Sequence, residues 1–139
     1  MNWVSLIIKK IAGKRTVDFN ISHSGEFILA VFAVGMDIGV DVQEMAECPD
    51  YREIAENFYT AEEAEDVKNE GPDLFFQYWA AKEAYVKALG IGLGRGMDFF
   101  SVRNEKIAEK DKKDQDWFLY PVRIKGYAAY VAAHKKGDR

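Results

Sequence analysis

The spacing of apolar positions changes twice along this chain. Up to residue 42 the apolar residues come in short runs broken by glycine. Residues 3–11 (WVSLIIKKI) are rich in β-branched side chains and predict a strand. Gly13, Lys14 and Arg15 turn the chain, and residues 17–22 begin the return. Phe27–Val34 is an unbroken apolar run of strand length between Gly25 and Gly35, the pattern of a buried strand. Met36 and Asp37 make the next turn, and residues 38–42 form another strand.

From residue 51 the period lengthens. Pro49 and Asp50 open a helical region, and residues 51–57 predict a short helix. Thr60-Ala-Glu-Glu63 has the form of a capping box, with Glu63 at the third helical position. Gly71, Pro72 and Asp73 stop that helix and cap the next. Over Pro72–Leu89 the residues Leu74, Phe75, Tyr78, Trp79, Tyr85, Val86 and Leu89 make a broad helical stripe. Gly90, Gly92, Gly94 and Gly96 then form a loop. Residues 99–102 read as a strand, and residues 105–116 as a charged, solvated hairpin tip. Residues 117–124 and 127–133 alternate like two antiparallel strands around Lys125-Gly126. Strands, then helices, then strands predict an α+β domain, an antiparallel sheet packed against a long helix. Residues 1–139 read as one domain, without repeat or linker.

Composition narrows the class. Hydrophobic residues make up 48% and charged residues 30%, as in ordinary globular proteins. A net charge of -4 disfavours a general nucleic-acid role. The single cysteine, Cys48, forms no internal disulfide. The longest apolar run, residues 27–36, is too short to span a bilayer. The first residues lack the charge order of a secretory signal, so a cytoplasmic location is expected.

Several residues carry candidate chemistry. Asp41, in Gly39-Val-Asp41-Val-Gln43, interrupts an apolar strand. It is either a solvated strand residue or a ligand for magnesium, which takes one or two protein carboxylates plus phosphate oxygens. Trp79, Glu83 and Lys87 share one helix face. Glu83 and Lys87 form either an exposed helical ion pair or a clamp for a metal-bound pyrophosphate. His23, in Phe19-Asn-Ile-Ser22-His23-Ser24-Gly25, is a turn residue or a phosphate contact, with Ser22, Ser24 and Gly25 adding donors. Glu63 is a helix cap or an acid near the metal. His134 reads as structural. Ser22, His23 and Asp41 do not make a hydrolase triad, because no nucleophile elbow surrounds the serine.

The three motifs, in this order, resemble the signature of the 4'-phosphopantetheinyl transferases. The most specific part is Trp79-Ala-Ala-Lys82-Glu83-Ala-Tyr85-Val-Lys87-Ala-Leu-Gly90-Ile-Gly92-Leu93. The likeness runs from about Val17 onward, to the larger, surfactin-synthetase-activating type. It implies Mg2+-dependent transfer of the phosphopantetheine arm of coenzyme A to a serine of an acyl or peptidyl carrier protein, with release of 3',5'-ADP. Fatty-acid, polyketide or peptide synthesis is the implied setting.

Carried over, Asp41 and Glu83 match magnesium ligands, and Lys82 and Lys87 the helix lysines, Lys87 being assigned to the phosphates. His23 matches the residue near the 3'-phosphate. Glu63 matches the acid proposed as general base. Two positions depart from the pattern. Gln43 stands where the larger type often has a third acid, and its amide oxygen can still coordinate metal. The chain resembles only the C-terminal half of the larger type, leaving Lys9, Lys10, Lys14 and Arg15 as substitutes for the usual nucleotide-gripping residues.

That half-length likeness implies a homo-oligomer, a dimer before a trimer, with Phe27–Val34 or the segment around Trp3 as the contact. Carrier docking is expected at Tyr51, Arg52, Phe58 and Tyr59, with Phe58 expected in the core. The competing readings are a non-catalytic CoA- or carrier-protein-binding domain lacking its partner half, and an interaction subunit without a ligand.

Overall fold

The computed structural model describes residues 17–92, 94, 96–113 and 116–136. The expected strand at residues 3–11, the turn at 13–15, the basic residues there and Trp3 lie outside the described residues.

Strands β1 (Val17–Ser24) and β2 (Phe27–Val34) form an antiparallel hairpin, with Ser24 opposite Phe27. Its two-residue turn needs a left-handed residue, and Gly25 supplies it at φ +55°. Gly35 then turns the chain straight into β3 (Met36–Glu44). Met36 and Asp37, expected as a turn, instead pair with Lys135 and His134. β3 runs antiparallel to β7 (Tyr127–Lys135) over its full length. β6 (Phe118–Pro121) pairs with the other edge of β7, giving the order β3-β7-β6.

Between these strands lie the helices α1 (Tyr51–Phe58), α2 (Ala61–Glu70) and α3 (Pro72–Leu89). The Thr60–Glu63 capping box forms in full at the start of α2. Gly90, at φ +70°, ends α3 and donates its N–H to Lys87 O. The core lies between α3 and β7, where Phe75, Tyr78, Ala81 and Tyr85 cluster with Ala128, Tyr130 and Ala132. Each large apolar group buried there contributes about 2–3 kcal/mol of transfer free energy. Gly39 sets how closely α3 lies on β3. A Cβ there would collide with the backbone oxygen of Ala84 and the amide nitrogen of Ala88.

Three further expectations change. β2 is a strand but not a buried one: Phe32 is 46% and Val34 48% exposed. An all-apolar run does not reveal its partners, and β2 is paired only with β1. The strand expected over residues 99–102 shortens to β4 (Phe100–Ser101), paired with β5 (Ala108–Glu109). The described part of the expected tip at residues 105–116 is therefore not simply solvated. Ile107 is buried in the core, and Tyr85 donates its hydroxyl to Glu109. Ile107 and the hydrogen bonds that Tyr85 donates to Glu109 and Tyr130 to Glu105 fold that charged stretch inward.

Candidate active site

β1 does not join β3 by a backbone ladder. Its polar side chains at period two do the work instead. Asn20 Oδ1, Ser22 Oγ and Ser24 Oγ accept from the backbone N–H of Val40, Val42 and Glu44, at 2.9, 3.1 and 2.8 Å. These amides line the edge of β3 away from β7, so the hairpin satisfies an edge that would otherwise stay open.

Asp41 lies on the α3 side of β3 and is 6% exposed. Ser22 Oγ donates to its Oδ1 at 3.3 Å, and Gln43 Nε2 to its Oδ2 at 3.0 Å. Burial pushes the Asp41 carboxyl up to about 6. The Gln43 hydrogen bond and the nearby Lys87 charge act against that rise, and the charge of Glu83 adds to it. Glu83, partly buried on α3, is also held above the usual carboxylate range by burial, against the pull of Lys87.

Lys87 closes the group. From the last turn of α3 its Nζ donates to Val40 O at 2.8 Å and to Ile21 O at 3.0 Å. One ammonium thus bridges β1 and β3 beside the two carboxylates. Asp41, Gln43 and Ser22 therefore meet, with Lys87 and Glu83 near enough for their charges to act on Asp41.

The other expected site residues lie elsewhere. His23 is exposed, on the face of β1 opposite Ser22. Glu63 and Lys82 are fully buried and paired with each other at 2.7 Å. Lys82 also donates to Met97 O and Phe100 O, which leaves its ammonium no route to an external phosphate. Sequence reasoning missed the carbonyls of Ile21 and Val40, since a backbone acceptor leaves no mark in residue type. It also placed Ser22 on a phosphate, whereas its hydroxyl is used by Asp41 and Val42.

A divalent cation suits this donor set. Two carboxylates with raised proton affinity and one side-chain amide offer hard oxygens, and a cation would relieve the repulsion between Asp41 and Glu83. Among the described residues no cluster of three acidic, histidine or cysteine groups forms a fuller metal cage.

The fold is that of a holo-(acyl-carrier-protein) synthase. The crystal structure of such an enzyme from Bacillus anthracis, in complex with CoA (3',5'-ADP), superposes with a TM-score of 0.55 at 22% identity, covering 72% of this chain and 96% of that one. The 4'-phosphopantetheinyl transferase superfamily profile matches residues 37–132. The chain belongs to that superfamily. The matched segment holds Asp41, Gln43, Glu63, Lys82, Glu83 and Lys87, while Ser22 and His23 precede it. The 4'-phosphopantetheinyl transferase Sfp of Bacillus subtilis is 38% identical over 89 residues, 61% of this chain and 38% of that protein. The L-aminoadipate-semialdehyde dehydrogenase-phosphopantetheinyl transferase of Rattus norvegicus is 29% identical over 144 residues, 87% of this chain and 47% of that protein. The chain thus spans less than half the length of these relatives.

Proposed function

We propose that this chain transfers the 4'-phosphopantetheine arm of coenzyme A to a serine of an apo-carrier protein, in a magnesium-dependent reaction that releases 3',5'-ADP. The observation that carries this reading is the convergence of Asp41, Glu83 and Lys87 between β3 and α3. In transfer the carrier serine oxygen forms a bond to the β-phosphorus, the bond from that phosphorus to the bridging oxygen breaks so that 3',5'-ADP leaves with that oxygen, and the serine proton passes to solvent water. Asp41 and Glu83, with the amide oxygen of Gln43 or a water, would hold Mg2+, whose charge stabilises the pyrophosphate. Lys87 would exchange a backbone carbonyl for a pyrophosphate oxygen, since an ammonium gains more from an anion than from a neutral acceptor. His23, on the exposed face of β1, is assigned to the 3'-phosphate.

The acceptor class is an acyl or peptidyl carrier protein of fatty-acid, polyketide or peptide synthesis, acting in the cytoplasm. No described helix is long and apolar enough to cross a membrane. The exposed apolar face of β2 supports a homo-oligomer.

Gln43 favours a second reading, a non-catalytic CoA- or carrier-protein-binding domain, because a neutral amide leaves the cation site with less charge. Incubation with CoA, Mg2+ and an apo-carrier protein, followed by intact mass measurement, separates the two. The transferase reading requires the carrier to gain one phosphopantetheine. CoA binding with no mass gain favours the second.

A further inference from the structure

Glu63 and Lys82 form the most completely enclosed polar cluster among the described residues, and the chemistry above uses neither. Both are 0% exposed. Glu63 Oε1 accepts from Lys82 Nζ at 2.7 Å and from Thr60 N at 3.0 Å, and Oε2 accepts from Val102 N at 2.8 Å. The three protons of the Lys82 ammonium are matched by Glu63 and by the carbonyls of Met97 and Phe100, both at 2.6 Å. The ammonium also lies 4.3 Å from the centroid of the Phe100 ring. No lone pair or proton on either group is directed at a place a substrate could reach.

The pair does fix geometry. The glycine loop leaves α3 at Gly90, and by Met97 it is bonded to Lys82, eight positions back along the helix. That return covers about 12 Å of helix axis. It spans the two turns that carry Glu83 and Lys87. The same two side chains tie the start of α2, through Thr60, and the start of the Arg103–Glu105 turn, through Val102, to this part of α3.

We propose that Glu63 and Lys82 are positioning residues that hold the loop and α2 against the site-bearing end of α3, and that Glu63 does not accept the serine proton. The proposal rests on the transferase reading. A general base needs reach to the proton it takes, and this carboxylate is enclosed with both oxygens occupied. A base and a positioning pair differ in what their loss changes. Losing a base removes a titrating step from the reaction, whereas losing Glu63 or Lys82 frees the amide or carbonyls it holds and leaves the other charge buried without its counter-charge.

The test compares Glu63→Gln, Lys82→Met and the joint variant, well below the melting midpoint of each. Transfer kinetics, CoA affinity by calorimetry and amide exchange over residues 96–102 are measured on all three. Each single change and the joint variant should raise KM for CoA by about tenfold and speed exchange in that segment, the joint variant no less than either single one, while the acid limb of kcat measured against pH stays where the parent has it. A Glu63→Gln variant with parental KM and exchange whose acid limb is lost overturns the proposal, since that is the loss of a proton acceptor. Single variants with parental KM and exchange but lower melting midpoints also overturn it, leaving a purely structural pair. A parent chain that binds CoA but transfers nothing rejects the transferase reading alone. CoA affinity and exchange then decide the role of the pair.

Discussion

Gln43 donates its side-chain amide to Oδ2 of Asp41 at 3.0 Å. Two polar side chains on one face of β3 therefore meet each other in a buried cluster that also holds Ser22 and lies beside Lys87. The hydrogen bond steadies the Asp41 carboxylate but does not offset its burial, which raises its proton affinity to about 6 from an ordinary 3.8.

That shift sets a pH dependence of stability. Between pH of about 4 and 6 the folded chain keeps a proton on Asp41 that the unfolded chain has released. Stability attributable to this group is therefore unaffected below about pH 4, falls as pH rises through about 6, and stays lowered above it. The full penalty is on the order of 3 kcal/mol. Asp41→Asn removes it, since Gln43 can turn its amide to present the oxygen. The variant should melt roughly 5–10 °C above the parent at neutral pH, converge with it near pH of about 4, and transfer nothing. Differential scanning calorimetry across that range checks the crossing.

A cation that binds Asp41 and Glu83 should relieve the same penalty. Magnesium at tenfold its dissociation constant would stabilise the parent by about 1.4 kcal/mol. The melting midpoint should rise with magnesium, return on chelation, and stay flat in Asp41→Asn. A parent midpoint that ignores magnesium would remove the metal assignment.

Lys87→Met takes away two backbone hydrogen bonds and the only ammonium assigned to the pyrophosphate. Loss of the β1–β3 bridge should cost about 1–3 kcal/mol. Transfer should fall about 100-fold or more, as when a preorganised donor to a developing anion is removed. Steady-state kinetics on folded protein separates the two effects.

The helical half of this fold was legible because each signal there is local. Thr60 and Glu63 announce a cap within four residues, and Gly71-Pro72 stops one helix and starts the next. The site was legible in part. Asp41, Glu83 and Lys87 stand out by charge and spacing, and the fold brings them together. Glu63 and Lys82 carry the same charges and instead pair with each other, which depends on where Met97 and Phe100 return to α3. No residue spacing encodes that return. The exposure of β2 was hidden for a related reason, since eight apolar residues in a row look alike whether covered or not.

The carrier protein should dock on α1. The chain has net charge -4 and acidic carriers would gain little from its overall field, so local contacts must serve. Phe58, expected in the core, is 44% exposed and packs edge-on to Trp79, while Tyr59 is buried. Arg52 is exposed over the Tyr51 ring. Phe58→Ala and Arg52→Glu should raise KM for the carrier severalfold and leave KM for CoA unchanged. Parental values for both would exclude this surface.

Self-association should follow from the hairpin. Phe19, Ile21, Phe27, Ile28, Phe32 and Val34 are all exposed on β1 and β2, a concentration of apolar side chains that marks an interface on most water-soluble proteins. The hairpin also carries Ser22 and Ile21, which touch Asp41 and Lys87, so a partner seated on it would lie beside the candidate site. A closed dimer is the simplest assembly that covers such a face. Light scattering of the purified chain should give twice the monomer mass, and Phe32→Lys should shift it to monomer and lower transfer. Phe32 pairs with Phe19 on the exposed hairpin, so its replacement removes little core packing. A parent that is monomeric at assay concentration and still transfers phosphopantetheine would sink the dimer. A monomeric parent that is inactive, but gains activity from a separately added protein, would place a different chain on the same face.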